Sequence, residues 1–395
     1  MTLRDQVWQT IDGMADSLWD MSLKIHAHPE LGFEEHQAAA WLADALEQDG
    51  FQVERGVANL PTAFVGTHPA QAAGPAVAIV AEYDALPEIG HACGHNLIAM
   101  IAVGAALALA KCKKDLPGTL VLLGGPAEEG GGGKEYLVKA GYLKGIDAAM
   151  MVHPSSYTVV ERGALARSEI EISFKGKPAH ASSHPDKGIN ALDAVIQTFN
   201  GINALRQHIR DGARIHGIIT DGGLKPNIVP ETAAALFYVR DLDNAYCDEL
   251  VEKLRHCAEG AALATGATLT FEKVGVDYKT MNTNKVIAGA FTRHIEELGY
   301  PIETPEPGLG STDMGNISWE VPAIHAYIRI LEQGRGVVPG HSREFAAASC
   351  APAAREAMIA AAKAVAATCL DLLTDTALAQ AAKDEFEASV RGAKS

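Results

Sequence analysis

Apolar positions change their period along this chain. Over 2–27 and 35–48 the spacing is helical, and the second stretch gathers Ala38, Trp41, Leu42, Ala45 and Leu46 on one side. Three short runs follow, at 76–80 (Ala-Val-Ala-Ile-Val), 119–123 (Thr-Leu-Val-Leu-Leu) and 148–152 (Ala-Ala-Met-Met-Val), with helical stretches between some of them. Continuous apolar runs of this length predict buried strands of an α/β sheet. The longest apolar run, 97–110, falls short of the ~20 residues that cross a bilayer and predicts a buried core helix.

The texture changes near residue 166. Residues 168–175 alternate polar and apolar, as a strand with one wet face does. A helical stretch over 188–209, a strand over 232–239, a helix over 244–264 and an alternating strand over 267–274 follow. Strand–helix–strand–strand–helix–strand order predicts a small α+β, ferredoxin-like insertion. The main sheet resumes at 321–330, and Ala-rich helices at 351–372 and 375–391 close the chain. The expected organisation is therefore a main domain with a mixed, mostly parallel sheet, split into 1–166 and 278–395 around an insertion at 167–277.

The 395 residues are too many for one ordinary core, which agrees with that division. A formal net charge of −16 argues against a general nucleic-acid binder, because phosphate neutralisation needs a basic face. The start of the chain does not read as a secretory leader, and no stretch reads as a membrane span. Six cysteines without a Cys-x-x-Cys pair fit a reducing compartment, so a cytoplasmic location is expected.

Polar residues stand just after each buried run: Glu82 and Asp84 after the first, Glu128 and Glu129 after the second, His153 after the third. Carboxyl ends of parallel strands share one edge, where ligands bind. Cys93 and His95, in His-Ala-Cys-Gly-His-Asn, precede the long apolar helix, near a terminus whose dipole favours a thiolate. Thiolate, imidazoles and carboxylates make a divalent-metal ligand set; the alternative is an inert buried cysteine beside ordinary loop histidines. Adjacent Glu128 and Glu129 repel one another unless a cation or proton intervenes. His341 stands alone in Gly-His-Ser. The insertion has its own polar set in His180, Asn227 and Arg240, the last suited to a two-pronged grip on a carboxylate. The glycines at 130–133 do not form a phosphate loop, and neither a Gly-x-Ser-x-Gly elbow nor a dinucleotide fingerprint is present.

Residues 82–96, Glu-Tyr-Asp-Ala-Leu-Pro-Glu-Ile-Gly-His-Ala-Cys-Gly-His-Asn, closely resemble a stretch of the aminoacylase/carboxypeptidase/dipeptidase family of two-metal metallopeptidases. Within it the match is to the amidohydrolase branch, which includes auxin-conjugate hydrolases, aminobenzoyl-glutamate hydrolase and Xaa-Arg dipeptidase-like proteins. The segments at 28–35, 126–130, 176–181, 222–230 and 311–313, with His341 and Ser342, continue the resemblance in order along nearly the whole chain. It implies a zinc-peptidase-like α/β domain interrupted by a lid that commonly forms a homodimer. It also implies that Cys93 bridges two divalent ions and that His95, Glu129, His153 and His341 complete the ligands. Glu128 is then the general base, Asp84 an orienting acid, and His180 a group reaching an active site. Asn227, Arg240, Ser311 and Thr312 fall at substrate-holding positions. In the wider family a metal-binding histidine stands where this chain has Glu82, so that role is not carried over.

The resemblance implies a small amide or dipeptide substrate, an N-acyl or aminoacyl amino acid, attacked by a water bridging the two ions. Sulfur ligation favours zinc, and mixed nitrogen and oxygen ligands also suit manganese, cobalt or nickel. The rival expectations are deamination or aromatic-amine hydrolysis on the same site, and a metal-binding homologue without catalysis.

Overall fold

A computed structural model describes residues 1–69, 72–112 and 117–392. The first half of the chain forms α1 (Leu3–Ala27), α2 (His36–Gln48), β1 (Gln52–Arg55), β2 (Phe64–His68), β3 (Ala76–Ala81), α3 (His95–Cys112), β4 (Thr119–Gly124), α4 (Gly133–Ala140) and β5 (Ala148–Ser155). Next come β6 (Ala166–Lys175), α5 (Ala191–Leu205), β7 (Arg214–Asp221), β8 (Thr232–Asp241), α6 (Asn244–Thr265) and β9 (Thr268–Lys273). The chain ends with α7 (Lys285–Glu297), α8 (Met314–Ser318), β10 (Ala323–Arg329), α9 (Arg343–Ala348), α10 (Pro352–Thr374) and α11 (Thr376–Gly392). Two compact units result: Met1–Gly163 with Met281–Ser395, and Ala164–Thr280.

The first unit is built on a six-stranded sheet in the order β1-β2-β4-β3-β5-β10. The four strands β4, β3, β5 and β10 run parallel, while β1 and β2 pair antiparallel at one side. Both faces are covered, which is why the central strands read as unbroken apolar runs. Val77, Ile79, Leu120, Leu122, Met150 and Val152 join the core formed with α1, α3 and α10. Ala78, Val80, Val121, Leu123, Ala149 and Met151 join a second core with residues of α4 and α8. Each strand thus sends alternate side chains to opposite cores. β5 continues three residues beyond the expected 148–152, because β10 stays in parallel register with it as far as Arg329 opposite Ser155.

α3 is buried along its length from His95 to Leu109, as its nearly uniform apolar composition requires. It and α10 are long and apolar enough to cross a membrane, and both are mostly buried inside the fold. A Cβ on Gly104 would lie 2.9 Å from Leu18 Cδ1 and 3.6 Å from Ala362 Cβ, so glycine permits the close approach of α1, α3 and α10. α1 opens on a capping box: Thr2 Oγ1 accepts from the Asp5 amide at 3.1 Å, and Asp5 accepts from the Thr2 amide at 2.8 Å.

The second unit is a four-stranded antiparallel sheet, β7-β8-β6-β9, with α5 and α6 on one face. Ile170, Ile172, Phe174, Ala235, Phe237 and Val239 point into that core, and the residues between them face outward. α5 is shorter than the expected 188–209. Asn190 caps it by accepting from the Leu192 and Asp193 amides, and residues 206–208 tighten into a 3₁₀ turn.

Candidate metal centre

The carboxyl ends of β3, β4 and β5 share an edge because those strands are parallel, and the chain places its reactive groups there. His153 sits within the extended end of β5, Glu82 and Asp84 follow β3, and Glu128 and Glu129 follow β4. Cys93 and His95 come from the start of α3, and His341 precedes α9. Cys93 Sγ lies 3.4 Å from His153 Nε2 and 3.5 Å from His341 Nε2. His341 Nε2 lies 3.2 Å from Glu129 Oε1, and His95 Nε2 lies 3.9 Å from the same oxygen.

Of three donor sets whose ligand atoms lie within 4.8 Å of one another, two contain Cys93: Cys93–His95–His153 and Cys93–Glu129–His341. They share one sulfur. The outward nitrogens of two histidines are already engaged. His95 Nδ1 bonds Asp84 Oδ1 at 2.9 Å, and His153 Nδ1 bonds the Pro154 carbonyl at 2.6 Å. Each bond fixes the ring so that Nε2 faces the centre, the usual arrangement behind a metal-ligating imidazole. The second oxygen of Asp84 accepts from the Glu129 amide at 3.0 Å, so one carboxylate braces members of both sets.

The centre also fits a cation by what it lacks. Glu82 Oε1, His95 Nε2 and Glu129 Oε1 are buried, and among the described residues the groups nearest them are one another and His341 Nε2 rather than well-aligned donors. Buried carboxylates and imidazoles crowded together are costly unless positive charge joins them. Protein groups alone push the Cys93 thiol well up, through burial and the Glu129 carboxylate. Burial lowers His153 to about 4, leaving the ring neutral and fit to coordinate. Burial and the Glu82, Glu129 and Asp313 carboxylates push Glu128 well above the carboxylate range.

Two non-glycine residues at the centre hold left-handed backbone, Ala127 (φ 57°) and His341 (φ 59°). Such conformations store strain and persist where neighbours over-determine them. Ala127 is fixed by its amide bond to Glu35 Oε1 at 2.8 Å, and His341 by its amide bond to the Ala92 carbonyl at 2.9 Å. Beside the candidate ligands lies a cleft of about 490 Å³, lined by Cys93, His153, Tyr157, Arg162, Tyr327 and Pro339 among others.

The expected substrate-holding residues have other surroundings. Thr312 spends its hydroxyl on the Met314 amide at 3.2 Å, and Ser311 Oγ is buried without a partner among the described residues. In the second unit, His180 Nδ1 accepts from the Ser183 amide at 3.3 Å. The Asn227 carbonyl accepts from the Ala181 amide at 3.1 Å. Arg240 Nε is buried without a partner among the described residues. Sequence reasoning missed Lys134, whose ammonium bonds Glu82 Oε2 and Asp313 Oδ1, each at 2.6 Å. It also missed Glu35.

Known proteins share this arrangement of the chain. The profile of peptidase family M20/M25/M40 matches residues 78–364. The chain is 36% identical to the Xaa-Arg dipeptidase of Mus musculus, over 98% of its own length and 93% of the relative's. It is 30% identical to one of the subunits of the p-aminobenzoyl-glutamate hydrolase of Escherichia coli, over 96% and 92% of the two chains. The crystal structure of a dinuclear metal binding peptidase of the M20 family from Bacillus subtilis superimposes with a TM-score of 0.69 at 22% identity, covering 92% of this chain and 99% of that one. The matched profile and the near full-length relatives establish that this chain belongs to peptidase family M20/M25/M40 and is a hydrolase acting on amide and peptide bonds.

Proposed function

We propose that this chain is a two-metal hydrolase that cleaves the amide bond of an N-acyl or aminoacyl amino acid. The observation that carries the reading is the pair of donor sets sharing Cys93, with Glu128 beside them at the carboxyl edge of the parallel sheet. Cys93, His95 and His153 would hold one ion, and Cys93, Glu129 and His341 the other. When bound, the ions supply Lewis acidity to the substrate carbonyl and to the attacking water. Zinc suits the sulfur, and manganese the mixed nitrogen and oxygen donors.

Glu128 takes the proton of the attacking water and delivers it to the leaving nitrogen. Asp84 keeps His95 and the Glu129 backbone in place through the two bonds described above. Arg240, with its buried Nε, is the proposed clamp for the carboxylate of the released amino acid, supported by His180 and Asn227. The two relatives act on a dipeptide and on p-aminobenzoyl-glutamate by their names, and both names describe an amide of an amino acid. We read the second unit as a ferredoxin-like lid, a reading supported by its strand order β7-β8-β6-β9, and its edge strand β7 is the proposed dimer contact. The cytoplasm is the proposed location.

The test is a panel of dipeptides and N-acyl amino acids offered to protein reconstituted with zinc or manganese. Glu128→Gln is expected to keep both ions and lose turnover by roughly 10²–10⁴-fold. Near-normal turnover in that variant removes Glu128 as the base.

A further inference from the structure

Lys134 is an ionisable side chain that neither donor set uses, and it is fully enclosed. Its side chain, and those of Glu82 and Asp313, have no solvent exposure. It stands in the first turn of α4, where its own amide also bonds Asp313 Oδ2 at 3.0 Å. Its stem lies along Gly125, where a Cβ would come within 2.7 Å of Lys134 Cγ. Burial opposes the ammonium charge, but the Asp313, Glu82 and Glu128 carboxylates more than offset it and hold Lys134 above its ordinary range.

These carboxylates matter because they make a further place for a cation. Glu82, His95 and Glu128 offer ligand atoms within 4.8 Å of one another, all buried. An ion seated there would draw Glu128, the proposed base, into coordination. Glu82 is the weak point. One of its oxygens is bound by Lys134, and the other lies 3.3 Å from His95 Nε2.

We propose that Lys134 is a positioning residue: a fixed internal cation that holds Glu82 and Asp313, excludes a third metal ion from the Glu82–His95–Glu128 cluster, and so leaves Glu128 outside the ligand set. The inference rests on the two-metal reading above. An ammonium suits the task because it offers three donors and a full charge while having no acceptor to present to a metal. It also accounts for Glu82 at a position next to the ligands without making it one of them.

The experiment counts ions bound per chain by the intact protein, equilibrated with zinc or with manganese and freed of excess. Wild type and Glu82→Gln are each expected to hold two. Lys134→Met is expected to hold three, with kcat lowered on the order of 10²-fold, as when a general base is withdrawn, and KM changed far less. The double variant Lys134→Met/Glu82→Gln loses the vacated carboxylate and is expected to return to two ions and to recover most of kcat. A folded Lys134→Met protein that holds two ions overturns the inference, as does a Glu82→Gln protein that holds one. If Lys134→Met does not fold, Lys134→Gln takes its place in the count: three ions support the assignment, two overturn it. Wild-type protein that takes up no ions defeats the two-metal reading itself, an outcome separate from either of these.

Discussion

Glu35 shows how one buried side chain can govern a site it does not touch. Its Oε1 accepts from the Phe33 amide at 3.0 Å and the Ala127 amide at 2.8 Å, fixing the strained residue just before Glu128. Burial, helped by the Asp84 charge, pushes its carboxyl up to about 7 from 4.5. A folded-state value above the unfolded one means that the native protein holds the extra proton between those limits. Stability is therefore lost as pH rises from 4.5 through 7, by about 1.4 kcal/mol per unit and ~3 kcal/mol in all. Glu35→Gln keeps an acceptor oxygen and removes the titration. Urea melts at pH 5 and pH 8 are expected to show a clear fall for wild type and a much smaller one for the variant. The same scale explains what the sequence hid. Cys93, His95, Glu129 and His153 follow or precede recognisable elements, so their positions were legible from local pattern. Lys134 finds its partners 52 and 179 residues away, and no local pattern announces such a pairing.

Between elements, the site depends on how closely the start of α3 approaches the end of β5. Gly94 (φ 78°) separates Cys93 from His95, and a Cβ there would fall 2.5 Å from Pro154 Cγ. Gly94→Ala must therefore push the loop away from His153 and adopt an unfavourable backbone angle. Groups that orient ligands typically contribute 10–100-fold to metal affinity, and a loss of about tenfold is expected in zinc titrations. The elements themselves were legible unevenly, for physical reasons. β3, β4 and β5 are covered on both faces and declare themselves as apolar runs, whereas β1 is four residues long and mostly exposed. The edge strand β7 carries alternation too weak to mark its limits, since most of its residues face solvent.

At the scale of the whole molecule, that exposure has a second meaning. Ile218 and Ile219 on β7 are 64% and 46% exposed, and Leu224 just beyond it is 90% exposed. A bare strand edge with apolar side chains invites pairing with another chain. The protein is expected to run as a dimer of its 41.6 kDa chain in light scattering. Ile218→Lys with Ile219→Lys is expected to give monomers that bind the same number of ions. A dimer that survives both changes removes β7 as the contact. The division into a parallel-sheet unit and an antiparallel one was foreshadowed by the shift from continuous to alternating apolar pattern near residue 166, because one kind of sheet is enclosed and the other has a wet face.

The single sulfur of Cys93 has a consequence of its own. Because both proposed donor sets use it, neither cation position would be chemically independent of the other. Occupying one would convert the thiol into the thiolate that the next arrival needs, so cooperative loading is expected, and an oxidant that spoils this atom would disarm both positions in one event.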